Sequence, residues 1–418
     1  MLVRTHNWLL GLSSAPKLAA LLLQYLPFDR IQYGSLTVSI GEQQRRFTGT
    51  QEGVHAELVI EQPLKFIWLF SSQGELGFAK AYADQLIETP CLYSLLHLGA
   101  ANQQALSETR LGFNWFYQRF LQRHRDNHNS IENSRDNISA HYDLGNEFYQ
   151  LWLDDSMSYS SALFTQRDQP MAQAQANKYQ RILTELNWQA GDHILEIGCG
   201  WGGFAERAAE QGCQVTGITL SSEQLAFALQ RLQEQGWAEQ VQLQLMDYRH
   251  QQGQFDHIVS IEMFEAVGKE YWHDYFTQLK RLLKADGKAV LQVITIEEAR
   301  AERYQDDVDF IQMFIFPGGL LPSKQQLHEL AEAHGFKVSN ERAFGQDYAR
   351  TLEQWQQRFA AQSETLLKLG YDQRFQRIWR YYLDYCRVGF ESQSTDVVQL
   401  TLEHAQCVFA SIYMPYAA

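Results

Sequence analysis

The sequence predicts an α/β protein: a doubly wound, mostly parallel sheet preceded by a smaller N-terminal α+β unit. Three observations carry that expectation. From about residue 171 to residue 296, short apolar strands alternate with amphipathic helices. A strand in that series runs into the glycine-rich turn ILEIGCGWGGFAERA. Ahead of it, residues 30–69 carry β-formers in alternation without helices between them.

In chain order, residues 8–28 are apolar but broken by Ser, Pro16 and Lys17. They read as a helix packed on the body, with a lipid-surface helix or a signal peptide as alternatives. RIQYGSLTVSI, QRRFTG, HAELVIEQ and FIWLF read as strands of the small unit, and the stretch from Gly74 to Asn102 reads as helical. Residues 122–137 are almost entirely polar and read as a linker. The expected division is an accessory unit at 1–121, which binds lipid or docks on a membrane, the linker at 122–137, and the main unit at 138–418.

Beyond the linker, MAQAQANKYQRILTELNW reads as a helix and DHILEIGCG as a strand ending in glycine. GGFAERAAEQG is a helix stopped at Gly212, CQVTGITL a strand, and SSEQLAFALQRLQEQG a helix capped by Ser221 or Ser222. VQLQLMDY, FDHIVSIEMF and KAVLQVITI complete five strands. Residues 297–322 break the rhythm and read as a lid or a substrate-facing insertion. The stretch through RFQRIWRYYLDYCRVGF is helical and aromatic, a core or oligomer face whose arginines have lipid headgroups as an alternative partner.

Composition narrows the function. A net charge of −14 argues against a broad phosphate-binding face for nucleic acid. Five cysteines without a C-x-x-C pair argue against a disulfide framework or a zinc site, and no metal cluster is expected. No apolar run reaches the roughly 18 residues of a membrane span. The expected location is cytoplasmic, peripheral at the inner membrane face.

Gly198, Gly200 and Gly203 formally satisfy G-x-G-x-x-G, but Thr219 stands where a dinucleotide fold wants an acid for the ribose. Glu196, just before the glycines, instead suits S-adenosylmethionine (SAM). Asp247 and Tyr248, at the end of a later strand, suit an adenine edge and face. A tight turn without ligand is the bland alternative. Cys199 reads as a small filler, and His141 as ordering a loop, with Tyr142 near the pocket.

With LEIGCGWGGFA, GITLSSEQ, DYR, EMFEAVG, FPGGLLPS and FGQDYARTL in order, and HYDLGNEFY with MSYSSALF before them, the chain resembles the cyclopropane fatty acid synthase family. The resemblance covers about residues 125–390. It implies a Rossmann-like SAM-dependent methyltransferase domain. It also implies methyl transfer to the double bond of an unsaturated phospholipid acyl chain at a membrane surface, giving a cyclopropane. SAM contacts carry over to Tyr159, Ser160, Gly198, Gly200, Thr219, Leu220, Gln224, Asp247 and Tyr248. The family's base is a bicarbonate ion, and its holding positions fall on Glu265, Ile294, Tyr348, Ser161 and Gln292.

Two of those positions depart from the family: Ser161 stands for a Cys and Gln292 for a His. The residue after Glu265 is Ala266, where the family has His. Ser and Gln still donate hydrogen bonds, but Gln cannot become cationic. Either bicarbonate is held with less charge assistance and the ring closes, or the base is altered. In the second case the product is a C-methylated chain without a ring. An inactive lipid-binding relative is a third alternative, and a homodimer stays open. Glu265 could also be a helix-start carboxylate, and Glu262, three residues earlier, reads as a local hydrogen-bond partner or a second site carboxylate.

Overall fold

The computed structural model describes residues 16–107, 144–305 and 308–405. The expected linker, His141 and Tyr142 lie outside them. The N-terminal unit begins with helix α1 (Pro16–Tyr25), which lays Ala19 and Leu23 on a four-stranded sheet. That sheet has the order β2-β1-β3-β4, from β1 (Tyr33–Ile40), β2 (Gln43–Thr48), β3 (Gln51–Ile60) and, after two helices, β4 (Ile87–Glu88). The helices are α2 (Pro63–Gln73) and α3 (Glu75–Ala83), followed beyond β4 by α4 (Leu92–Ala101) and α5 (Gln103–Ser107).

The stretch FIWLF, expected as a strand, belongs to α2. A short continuous apolar run has no period to decide between strand and helix. Here Pro63 takes the first helical position, where a missing N–H costs nothing. The expected helical stretch from Gly74 to Asn102 is likewise interrupted by β4.

After α6 (Asn146–Gln150) and α7 (Met171–Leu186) comes the large sheet. Strands β5 (His193–Ile197), β6 (Gln214–Thr219), β7 (Val241–Leu245) and β8 (Phe255–Ile261) are parallel. Helices α8 (Gly203–Glu210) and α9 (Ser222–Glu234) connect the first three. The Ser221 hydroxyl caps α9 by accepting from the Gln224 N–H at 3.2 Å. Helix α10 (Trp272–Leu282) leads to the long strand β9 (Leu283–Ile296), parallel to β8.

The 297–322 insertion holds α11 (Glu298–Tyr304) and α12 (Phe310–Phe314). Then come α13 (Lys324–Ala333), β10 (Phe336–Ala343), α14 (Gly345–Ala361), α15 (Ser363–Lys368), α16 (Gln373–Glu391) and β11 (Thr395–His404). Two of these strands go beyond the five expected. Strand β11 enters antiparallel between β9 and β10, so the order is β10-β11-β9-β8-β5-β6-β7 and the sheet is mixed.

The order reverses at β5, which pairs with both β6 and β8. In open α/β sheets, ligands bind at such a switch point, beyond the carboxyl ends of the strands. Register then lines up three side chains across the sheet. Ile261 of β8 pairs with Gln292 of β9, and Gln292 pairs with Gln399 of β11. Glu262 is the next residue after that row.

Helix α16 joins the two units. Its Arg377 donates to the carbonyls of Tyr82 (2.6 Å) and Ile87 (3.1 Å), pairs with Glu88 at 3.0 Å, and lies 3.9 Å over the Tyr82 ring. Arg374 pairs with Asp84, and Arg387 sits over Tyr93. Arg374, Arg377 and Arg387, for which lipid headgroups were the alternative partner, are therefore engaged by the N-terminal unit. One apolar cluster runs from Leu23 and Phe66 to Phe359 and Trp379. No helix among the described residues is long and apolar enough to cross a membrane.

Candidate active site

A cavity of about 1670 Å³ opens at the carboxyl ends of β5, β6, β8 and β9. The turn after β5 forms one end. Gly198, Gly200 and Gly202 all have positive φ, a region where a Cβ is strained. At Gly198 a Cβ would also lie 2.9 Å from Met263 Cγ, so only glycine keeps this wall open.

Glu196 sits beneath the turn and lines the cavity, with its Oε2 unpartnered. Burial lifts its carboxyl well above the usual range, against Lys178 and the Ala205 N–H. Tyr159, Ser160, Thr219, Leu220, Gln224 and Tyr248 line the same cavity, and the Tyr248 hydroxyl is unpartnered. An enclosed acid with a spare oxygen, an open backbone cradle and an aromatic with a free hydroxyl fit SAM, whose amino-acid end is polar and whose sulfonium is cationic.

Asp247 does not line the cavity. Its two oxygens accept from Arg249 at 2.9 and 2.6 Å. Burial opposes its ionisation, but those bonds outweigh it and hold the carboxyl below its usual range. Cys199 is buried beside Glu196 and its thiol is raised well above the ordinary value, which suits a filler.

At the other end of the switch point stands Glu262. Its φ of 50° is unusual for a residue with a Cβ and marks a strained position. The strain is held by its N–H, which donates to the Gln292 carbonyl at 2.8 Å. Three donors converge on its carboxylate. Oε1 accepts from the Ser161 N–H (2.9 Å) and from Gln292 Nε2 (2.6 Å), while Oε2 accepts from the Tyr348 hydroxyl (2.6 Å). The Ser161 hydroxyl turns away to its neighbour's carbonyl, Ala162 O, at 3.0 Å.

Gln292 is fixed in turn. Its Oε1 accepts from Gln399 Nε2 at 2.9 Å, and Gln399 Oε1 accepts from Arg181 at 2.7 Å. The row set by strand register is thus one hydrogen-bonded chain, Arg181–Gln399–Gln292–Glu262.

Glu265 lies one turn on, in the short helical turn Phe264–Ala266, and lines the cavity. Its Oε1 accepts from the Ile294 N–H at 2.5 Å and its Oε2 has no partner. Burial and then the charge of Glu262 push it up to about 8. Burial also raises Glu262, against the pull of Tyr348, Lys178, Ser161 and Gln292. Lys178 of α7 is fully buried and donates to the Ser160 hydroxyl at 2.5 Å. Burial lowers it to about 8, opposed by the charges of Glu262, Asp154 and Glu196. Glu262, held by three donors and facing the charge of Lys178, is not isolated, which is what a buried charge requires, whereas Glu265 has backbone N–H partners and no cation among the described residues acting on it.

The walls are aromatic. The Tyr159 ring lies 5.4 to 5.5 Å from Tyr149, Trp152 and Trp355 and 6.4 Å from Phe316. Its hydroxyl meets that of Tyr382 at 2.8 Å. Tyr348 stacks on Phe390 at 4.4 Å. The resulting surface is apolar, with π faces suited to positive charge.

Of the expected base positions, Glu265, Ile294 and Tyr348 line the cavity, while Ser161 and Gln292 stand behind it. Ser161, Gln292 and Tyr348 converge not on an open space but on the carboxylate of Glu262. A bicarbonate ion does not fit that arrangement, because Ser161, Gln292 and Tyr348 are already engaged by Glu262 and the Ile294 N–H by Glu265, which leaves Glu265 Oε2 alone to meet it. Sequence reasoning leaves Glu262 undecided and does not find Lys178. A signal for Lys178 is present: with Met171, Ala174, Ile182 and Leu186 it occupies the buried face of α7.

The family described as mycolic acid cyclopropane synthetase matches residues 129–400. The chain is 40% identical over 281 residues to a tuberculostearic acid methyltransferase of Mycobacterium tuberculosis, covering 65% of this chain and 66% of that one. It is 36% identical over 261 residues to the cyclopropane-fatty-acyl-phospholipid synthase of Escherichia coli, covering 62% and 65%. The matches thus span just under two thirds of either relative. A solved structure of mycolic acid cyclopropane synthase CmaA1, complexed with SAH and CTAB, superposes with a TM-score of 0.61 at 33% identity, covering 64% of this chain and 97% of that one. With the family match taking in more than half of its length, the chain belongs to the mycolic acid cyclopropane synthetase family of SAM-dependent methyltransferases.

Proposed function

We propose that the chain transfers a methyl group from SAM to the double bond of an unsaturated phospholipid acyl chain, and that Glu262 takes the proton that ends the reaction. One observation supports this most directly: a carboxylate gripped by three donors in an aromatic-walled cavity that begins at the glycine turn. When bound, SAM supplies a methyl group already electrophilic enough for an alkene.

Methyl addition leaves positive charge on the neighbouring chain carbon. The faces of Tyr159, Phe316 and Tyr382, which line the cavity, steady that charge and exclude water. The charge is discharged by loss of a proton. If the proton leaves the new methyl group as that carbon bonds to the cationic centre, a ring closes. If it leaves a chain carbon beside the cation, a methylated alkene remains. Glu262 is the acceptor in this reading, held by Tyr348, Gln292 and the Ser161 N–H.

We favour the methylated, ring-free product. A base fixed to the backbone reaches one place only, unlike a small ion free to settle near the methyl group, and similarity to the tuberculostearic acid methyltransferase supports this. Ring closure is the second reading, supported by Glu265, Ile294 and Tyr348 at the family's positions and by similarity to the phospholipid synthase. On either reading residues 1–121 form the accessory unit, residues 138–418 carry out the transfer, and the protein works at a membrane face.

Expression in a host lacking its own synthase, followed by mass spectrometry of fatty acid methyl esters, tests this. A gain of one CH2 with the alkene retained is expected. The same gain with the alkene lost establishes the ring, and no change sinks both readings for that host's lipids.

A further inference from the structure

We propose that the part of the cavity lying inside the N-terminal unit holds the second acyl chain of a two-chain phospholipid while the first is methylated. The idea rests on the lipid reading above and extends it to a site of its own. Pockets for small ligands run to roughly 300–1,000 Å³. A cavity of about 1670 Å³ therefore has room for more than a cofactor and a reacting segment of chain.

Its lining falls into two parts. One surrounds Glu196, Glu262 and Glu265. The other is built by α1, β1, β3, α2 and α4, with Leu26, Leu36, Leu58, Phe66, Leu95 and Leu98 among its walls. Apart from Glu75 this second part has no charged side chain among the described residues, so it can hold an acyl chain but offers no chemistry.

The insertion lies between the two parts. Helix α12 packs on both α3 and α16, and its Phe310 lies 4.5 Å from Tyr381. On the preceding α11 stand Arg300 and Arg303, the cationic side chains that line the cavity among the described residues. An anionic phosphodiester is the group such arginines recognise. The aromatic-walled reaction chamber, the apolar N-terminal chamber and the two arginines on α11 together match a phosphate carrying two chains.

Gly99 of α4 gives the test. It lines the N-terminal chamber, and a Cβ there would meet nothing within 4 Å, so Gly99→Phe fills space without removing a contact. Gly99→Ala serves as the size control, and thermal melting checks that all forms fold. Binding of dioleoyl phosphatidylglycerol to the full chain is read by native mass spectrometry. Turnover is read with dioleoyl phosphatidylglycerol and with 1-oleoyl lysophosphatidylglycerol, each in detergent micelles.

The parent and Gly99→Ala are expected to bind one diacyl lipid, and Gly99→Phe to lose about tenfold in binding and in kcat/KM for it, while the single-chain lipid is turned over as by the parent. Equal loss on both lipids, no loss on either, or a parent that binds no diacyl lipid overturns the proposal. A parent that binds diacyl lipid through this chamber yet methylates neither lipid upholds the chamber and refutes the methyl-transfer reading instead.

Discussion

Glu262 concentrates the chemistry of the site in one side chain. Replacing it as Glu262→Gln removes the proton acceptor while keeping much of its shape. Turnover should fall about 10²–10⁴-fold, with SAM affinity by calorimetry unchanged within about twofold. Removing dissolved carbon dioxide from the assay should leave the parent's rate unaltered; a fall on its removal would restore bicarbonate as the base. Acidity gives a further check. Glu262 works ionised and its carboxyl is raised, so the rate should climb with pH above the ordinary carboxylate range. The Tyr348 hydroxyl pulls that value down, so Tyr348→Phe should move the climb to higher pH, and an unmoved profile would separate Tyr348 from Glu262. Glu265 tests linkage with stability. It is raised from 4.5 to about 8, so its favourable contribution is intact below 4.5 and is lost as pH rises through 8. Glu265→Gln should therefore melt about 2–4 °C above the parent at pH 9 and gain less at pH 5. Motif order in the sequence makes Glu265, Ile294 and Tyr348 legible. Glu262 is not, because its donors come from residues 161, 292 and 348 and meet only through the fold.

Elements were legible where a period was present. The alternation of strands and helices from β5 to β9 follows the sequence pattern closely, and the Ser221 cap is where the sequence places it. Helix α2 was not legible, since FIWLF is apolar on every side. Its Phe66 is buried while Leu64 and Trp68, four residues apart on one face, are exposed at 43% and 60%. Nor was β10, whose residues after Phe336 and Val338 are largely exposed and polar, an edge strand with no apolar face to betray it. The contact of α16 with the N-terminal unit spans 289 positions between Arg377 and Glu88, a distance no local pattern encodes. Arg377→Ala, which leaves the carbonyls of Tyr82 and Ile87 without this donor, should cost about 2–4 kcal/mol in denaturant unfolding. A cost within about 0.5 kcal/mol would show that the units hold together without it.

For the whole molecule, the N-terminal sheet shares a core with helices α14 and α16 of the main unit, so the two units are not independent modules. Expressing residues 138–418 alone would bare the side of α16 where Tyr381 meets Tyr82. Such a fragment should bind a hydrophobic dye and melt well below the full chain; equal melting would make the accessory unit dispensable for folding. The hydrogen-bonded row from Arg181 through Gln399 and Gln292 to Glu262 reaches the same scale, because it carries the reaction centre's support from β8 across β9 and β11 to helix α7. Neither Arg181 nor Gln399 lines the cavity. Lineages that changed product could therefore have done so by substitutions remote from the lipid, and a survey confined to pocket positions would record no difference between enzymes that make different fatty acids.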